Sequence, residues 1–222
     1  MPAKNDREYR NMRLEVRELP DGEDREEERI VTGYASTFDE PYLLFSGEGW
    51  EFWEVVDRNA FDNTDMDDVI MQYDHHGRVF ARTRNKTLEV KPDDKGLFIE
   101  ADLSGTEIGR ELYEEIRGGY TDRMSFGFTV NGELEEREKD ENGVVRYTRH
   151  ITSVEKLYDV SAVSIPANDG TSIGADAVTR SIGDLNDGVI ARIQAERLEE
   201  EELELERKRT EVRAKALSGG KN

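Results

Sequence analysis

Residues 106–134 read TEIGRELYEEIRGGYTDRMSFGFTVNGEL. Ile108, Leu112 and Ile116 fall four apart and line one face of a helix, Thr106 stands at its start, and Gly118-Gly119 ends it. From Met124 the pattern becomes alternation of apolar and polar residues, the period of a strand. A helix that passes directly into an aromatic strand makes the chain α+β.

Outward from this unit the chain reads mostly as strands. Residues 12–19 (MRLEVREL) and 30–38 (IVTGYASTF) alternate on either side of a charged Pro-Asp-Gly segment, which predicts a hairpin. A loop is expected over 39–49, then an apolar segment at 50–56, and an acidic stretch at 62–68 that caps a short helix. Residues 69–73 (VIMQY) form a short apolar strand that ends at Asp74, His75 and His76. Residues 87–91 and 96–103 form a second hairpin around Pro92-Asp93-Asp94-Lys95-Gly96, where Pro sets φ, Asp caps and Gly accepts φ > 0. Residues 135–143 are expected to be a charged hairpin loop, with further strands at 144–154 and 157–165. Together these predict a mostly antiparallel, barrel-like core with one flanking helix.

The character changes near Ser181, which divides the chain into a core, 1–180, and a tail, 181–222. No proline or glycine occurs from Val189 to Leu217, and fourteen of the twenty residues 196–215 are charged, acids mainly first and bases last. That order suits the helix dipole and i,i+4 pairing. Leu198, Leu205 and Val212 recur every seven residues, but Glu201 and Lys208 occupy the intervening heptad positions, so a coiled-coil seam is thin and the tail reads as a solvated helix.

Composition narrows the chemistry. Among 222 residues 51 are acidic and 31 basic, a net charge of −20, which repels phosphate backbones and argues against nucleic acid as a partner. There are no cysteines, hence no disulfide, thiolate metal site or cysteine nucleophile. No apolar run suits a signal peptide or a membrane span, so a soluble cytoplasmic protein is expected. The three histidines, His75, His76 and His150, flank the unit that carries Ser125. A serine hydroxyl needs a neighbouring base, and imidazole is suited to that role, so any serine chemistry depends on this small set. Ser125 is one of ten serines, and its context, RMSFGF, lacks a Gly-x-Ser-x-Gly elbow.

The order of segments is similar to the tailed-phage prohead protease family: GYASTFDEPY, EVVDRNAF, an apolar strand ending in Asp-His, ARTRNKTLEV, DDKGL, a helix ending in RGG, then MSFGF and LYDVSAVSIPAND, over residues 12–171. The resemblance implies a serine endopeptidase that trims capsid and scaffold proteins, and itself, inside the assembling prohead in the host cytoplasm. It implies Ser125 as nucleophile and His75 as base, with His76 the second choice because this chain has Asp74-His75-His76 where relatives have Asn-His-Asp. It also implies a fold like the herpesvirus assemblins, β-barrels with a Ser-His-His triad, which makes His150 the candidate third member and Glu155 its carboxylate alternative. No cofactor is implied. Capsid protein and scaffold are the implied partners, homo-oligomerisation is open, and the junction at 181–185 is a candidate self-cleavage region. Two other classes remain: a non-enzymatic capsid scaffold, which the acidity and charged tail suit, and a DHH-type manganese phosphoesterase, for which the further aspartate motifs are missing.

Overall fold

A computed structural model of the chain describes residues 7–16, 29–164 and 176–218. Along it run β1 (Glu8–Val16), β2 (Ile30–Thr37), β3 (Tyr42–Gly47), β4 (Trp50–Val56), β5 (Ile70–Tyr73), β6 (His76–Arg82), β7 (Leu88–Pro92), β8 (Gly96–Asp102), α1 (Glu107–Arg117), β9 (Arg123–Lys139), β10 (Val145–Val163) and α2 (Asp176–Ser218). The class is α+β. The chain divides into two units, Ala3–Ile182 and Gly183–Asn222 with Met1–Pro2.

In the first unit the antiparallel pair β9 and β10 is the axis of one sheet of order β3-β4-β10-β9-β1-β2-β8-β7, with β5 joined to β10 and β6 joined to β5. Antiparallel pairs dominate, as the alternation predicts. β10 departs from this: its first half runs parallel to β4, from Val145 opposite Trp50 to Ile151 opposite Val56, and its second half runs parallel to β5, with Ala162 opposite Tyr73. Register shifts between Ile151 and Asp159 mark bulges, which bend a strand and let one edge serve two neighbours. Among the described residues no pairing joins β3 to β7, so the sheet runs as an open path from one edge strand to the other.

Local chemistry accounts for the predicted elements that form as expected. Asp93 accepts hydrogen bonds from the backbone N–H of Lys95 (2.8 Å) and Gly96 (3.0 Å), which closes the β7–β8 turn. Gly96 is obligatory there for its missing Cβ and not for the expected positive φ, which it does not adopt: a Cβ would lie 2.0 Å from the Ser36 carbonyl oxygen. Thr106 caps α1 by accepting from Gly109 N–H at 3.0 Å, and Leu112 and Ile116 are buried on its inner face. The hairpin of β1 and β2 forms with Leu14 opposite Gly33. Its connecting turn, and the Ile165–Asp169 end of the LYDVSAVSIPAND segment, lie outside the described residues.

Four expectations are corrected. Residues 42–47 form β3 rather than a loop, because Phe45 stacks on Phe52 of β4 at 5.0 Å. The acidic stretch at 62–68 caps no helix; it turns, and the Asp65 N–H donates to the Glu155 carbonyl while the Leu157 N–H donates to Asp65. Strand β9 continues to Lys139 as a solvent-exposed ribbon, so the loop is only the few residues that Asp140 caps through the Asn142 and Val144 N–H groups. The two strands expected at 144–165 are one strand of 19 residues, whose bulges carry the apparent break.

The core packs Met124, Phe126 and Phe128 of β9 with Val160 and Ala162 of β10, Ile99, Leu97, Met71, and Leu112 and Ile116 of α1. A second buried set is ionic. Arg10 bonds Glu54 (2.5 and 2.7 Å) and Glu8 (2.8 Å), and Arg149 bonds Glu8 (2.6 and 2.8 Å), Glu54 (3.0 Å) and Glu133 (2.6 Å). These contacts cross from β1 to β4, strands that are not neighbours in the sheet.

In the second unit α2 buries Leu185, Val189 and Ile193 at a spacing of four, then leaves Leu198, Leu203, Leu205 and Val212 exposed. Glu204 and Lys208 pair at i,i+4 (2.7 Å), as the charge order predicts.

Candidate active site

The site is built where a tight turn meets the centre of the long strand pair. Tyr73 at the end of β5 pairs with His76 at the start of β6, so the connection is the two residues Asp74 and His75. Both have positive φ, 49° and 60°. Positive φ at both central residues is the pattern of a type I′ hairpin turn, which Asn-Gly usually supplies. A histidine held there carries roughly 1–3 kcal/mol of backbone strain, and such strain persists only where the surroundings fix it. Here Asp74 does so: its N–H donates to the Ala162 carbonyl (2.9 Å), and its carboxylate accepts from the Ser164 N–H (2.9 Å) and hydroxyl. The turn is thereby tied to the end of β10.

In the facing strands Ser125 lies directly opposite Ser161, and Gly127 opposite both Asp159 and Tyr9. Side chains of directly paired residues share a face of the sheet. One face of β9 is thus the apolar core, while the other carries Ser125 and Gly127, with Asp159 and Ser161 of β10 and Tyr9 of β1 beside them. Ser125 and Ser161 have no exposed surface and Asp159 has 1%.

His75 lies over this polar face. Its Nδ1 is 2.5 Å from Asp159 Oδ1, and its ring meets Tyr9 edge-on with centroids 4.3 Å apart. Because an ionised carboxylate only accepts, Nδ1 is the protonated nitrogen and Nε2 keeps its lone pair. The Ser161 hydroxyl donates to the same Asp159 oxygen at 2.7 Å, and Arg7 Nη1 stands 3.8 Å from the other. Gly127 makes room for this arrangement: a Cβ there would lie 2.5 Å from Asp159 Oδ2 and 2.8 Å from the Tyr9 ring. Three atoms on this face are buried without a hydrogen-bond partner among the described residues: His75 Nε2, Ser125 Oγ and, further along β9, Thr129 Oγ1.

Of the residues singled out from sequence, the fold therefore brings Ser125 and His75 to one place. His76 turns away, exposed, with Nδ1 on the Asp74 carbonyl at 2.7 Å. His150 is not brought to them. It pairs across the sheet with Leu134 and Val55, and its ring nitrogens face Asp57 (3.5 Å) and Glu136 (3.6 Å). Ser161 lies eleven positions further along the strand, about 35 Å away at strand rise. Glu155 is exposed at a bulge. The acid beside His75 is Asp159, which the sequence reading passed over. Its signal was its place two residues before Ser161 in an otherwise apolar strand end, where a carboxylate faces inward only if something there bonds it. The triplet Asp74, His75, His76 diverges to three different partners, and among the described residues no three His, Cys, Asp or Glu side chains stand together to hold a metal ion.

The family model described as caudovirus prohead serine protease matches residues 13–187. The chain belongs to that family. It is also 26% identical over 156 residues to the prohead protease of Enterobacteria phage HK97, a match covering 63% of this chain and 66% of that protein, just under two thirds. No solved structure matches it. The matched family segment contains His75, Ser125 and Asp159, and His150 as well. Among the described residues no helix is long and apolar enough to cross a membrane.

Proposed function

We propose that this chain is a serine endopeptidase that cleaves capsid and scaffold proteins, and itself, during prohead maturation, with Ser125 as nucleophile, His75 as base and Asp159 as the third member of the triad. Family membership supports the reaction class, and one observation carries the assignment: His75 has one nitrogen on a buried carboxylate and the other free on the face where the Ser125 hydroxyl also has no partner. Ser161 and Thr129 are the other buried hydroxyls on this face; the Ser161 proton is engaged by Asp159, and the serine chemistry of the family favours Ser125 over the threonine.

In the reaction His75 Nε2 takes the Ser125 proton as Oγ attacks the scissile carbonyl. Asp159 stabilises the imidazolium, which then protonates the leaving amine, and water attacks the acyl-enzyme by the same base. His75 and Ser125 make no hydrogen bond in the free chain, as is common before a substrate tightens such a site. A groove of about 380 Å³ beside the turn, lined by Tyr73, His76, Phe80, Ile108 and Leu112, is the proposed seat for a substrate side chain. The assemblin-like barrel relation belongs to the same proposal, with closure of the sheet as its structural requirement. So does the division into a core of 1–180 and a tail of 181–222, with the junction at 181–185 as a self-cleavage region; the side chains of 181–184 lie outside the described residues.

The test is co-expression of the chain with the capsid protein of its phage. Intact-mass measurement should show trimmed capsid protein with the wild type and full-length protein with Ser125→Ala. Identical masses in both would leave the scaffold reading, in which no serine is needed.

A further inference from the structure

We infer that Ser161 is a positioning residue for hydrolysis: its hydroxyl fixes the Asp159 carboxylate and shares the oxygen that holds His75. The inference rests on the proposed protease reading and deepens it. Ser161 stands directly across the strand pair from Ser125, with no exposed surface, and donates at 2.7 Å to Oδ1 of Asp159, the oxygen 2.5 Å from His75 Nδ1.

Two donors on one carboxylate oxygen divide its charge between them. A buried carboxylate with a single neutral donor is under-satisfied and free to rotate, whereas the second bond locks both the plane of the carboxyl and the direction in which the imidazole is held. The neighbours leave this oxygen few alternatives. Arg7 is 3.8 Å from Oδ2 and 41% exposed in its side chain, too far and too solvated for a hydrogen bond. Gly127 has no side chain, and Tyr9 meets His75 through its ring. Besides His75, Ser161 is therefore the one side chain within hydrogen-bond distance of the Asp159 carboxylate among the described residues, and its removal places the full charge of the carboxylate on His75. An imidazolium then becomes easier to form, so the pH at which the base becomes available rises, while the loosened carboxyl aims the ring less well.

The experiment compares wild type, Ser161→Ala, Ser161→Val and Ser161→Thr. The cleavage rate of the phage's capsid protein is measured from pH 5 to 9, and the imidazole titration of His75 is followed by NMR on histidine-labelled chain. Ser161→Ala and Ser161→Val should lower the limiting rate about tenfold and move the midpoint of both profiles up by about one pH unit, the scale of a hydrogen bond to a charged group. Ser161→Thr, which keeps the hydroxyl and suits a strand, should restore both. If wild type cleaves but Ser161→Ala leaves the midpoints unmoved, or if threonine and valine behave alike, Ser161 only fills space and the inference is overturned. A wild type that leaves the capsid protein intact ends the protease reading and this inference with it.

Discussion

Ser125 Oγ and His75 Nε2 are buried without partners, and a buried polar atom in that state costs about 1–3 kcal/mol. Removing the hydroxyl should therefore not weaken the fold. Ser125→Ala is expected to unfold at the same denaturant midpoint as wild type or a higher one, while processing stops; a marked loss of stability would mean that the hydroxyl has a structural bond. Asp159→Asn should lower the cleavage rate by roughly 10²–10⁴ because the amide misorients the imidazole. His150→Ala should leave the rate unchanged, which a gel of capsid processing decides. At this scale the sequence was half legible. The resemblance in segment order made Ser125 and His75 candidates, but the carboxylate beside His75 was not legible, because the register that sets Asp159 opposite Gly127 arises from bulges in β10 that no periodicity reveals.

Among the elements, the β5–β6 turn and the facing β9–β10 pair do the positioning. Gly127→Ala tests this directly: its methyl group would collide with the Asp159 carboxylate and Tyr9, so activity should fall at least tenfold while strand content by circular dichroism stays the same. Full activity would show that the carboxylate need not lie where it does. Local rules recovered the elements whose chemistry is local: the Thr106-capped helix, the Asp93 turn, the first hairpin. They failed where pairing is remote. Strand β3 is fixed by Phe45 stacking on Phe52, the charged half of β9 by its pairing with β10, and the parallel edges of β10 by crossovers that alternation cannot report.

At the scale of the whole sheet, the buried ionic set of Glu8, Arg10, Glu54 and Arg149 joins strands the hydrogen-bond ladder leaves apart. Burial raises the Glu8 carboxyl, but the Arg149 hydrogen bond and the charges of Arg10 and Arg149 outweigh it and lower it from 4.5 to about 2. A carboxyl lowered on folding gives stability that is complete above its unfolded value, about 4.5, and is lost as pH falls toward 2. Glu8→Gln should flatten that acid limb of a stability profile, and Glu54→Ala, which strands two arginines, should cost about 3–5 kcal/mol at pH 7. Unchanged urea midpoints would show that the set carries no such weight. None of this was legible in the sequence, where the four residues look like ordinary strand charges scattered over 142 positions. The catalytic account meets its most direct test in the intact mass of the capsid protein after co-expression with wild type, Ser125→Ala or His75→Ala. It predicts trimming by the wild type alone; trimming that survives in the Ser125→Ala culture would contradict it.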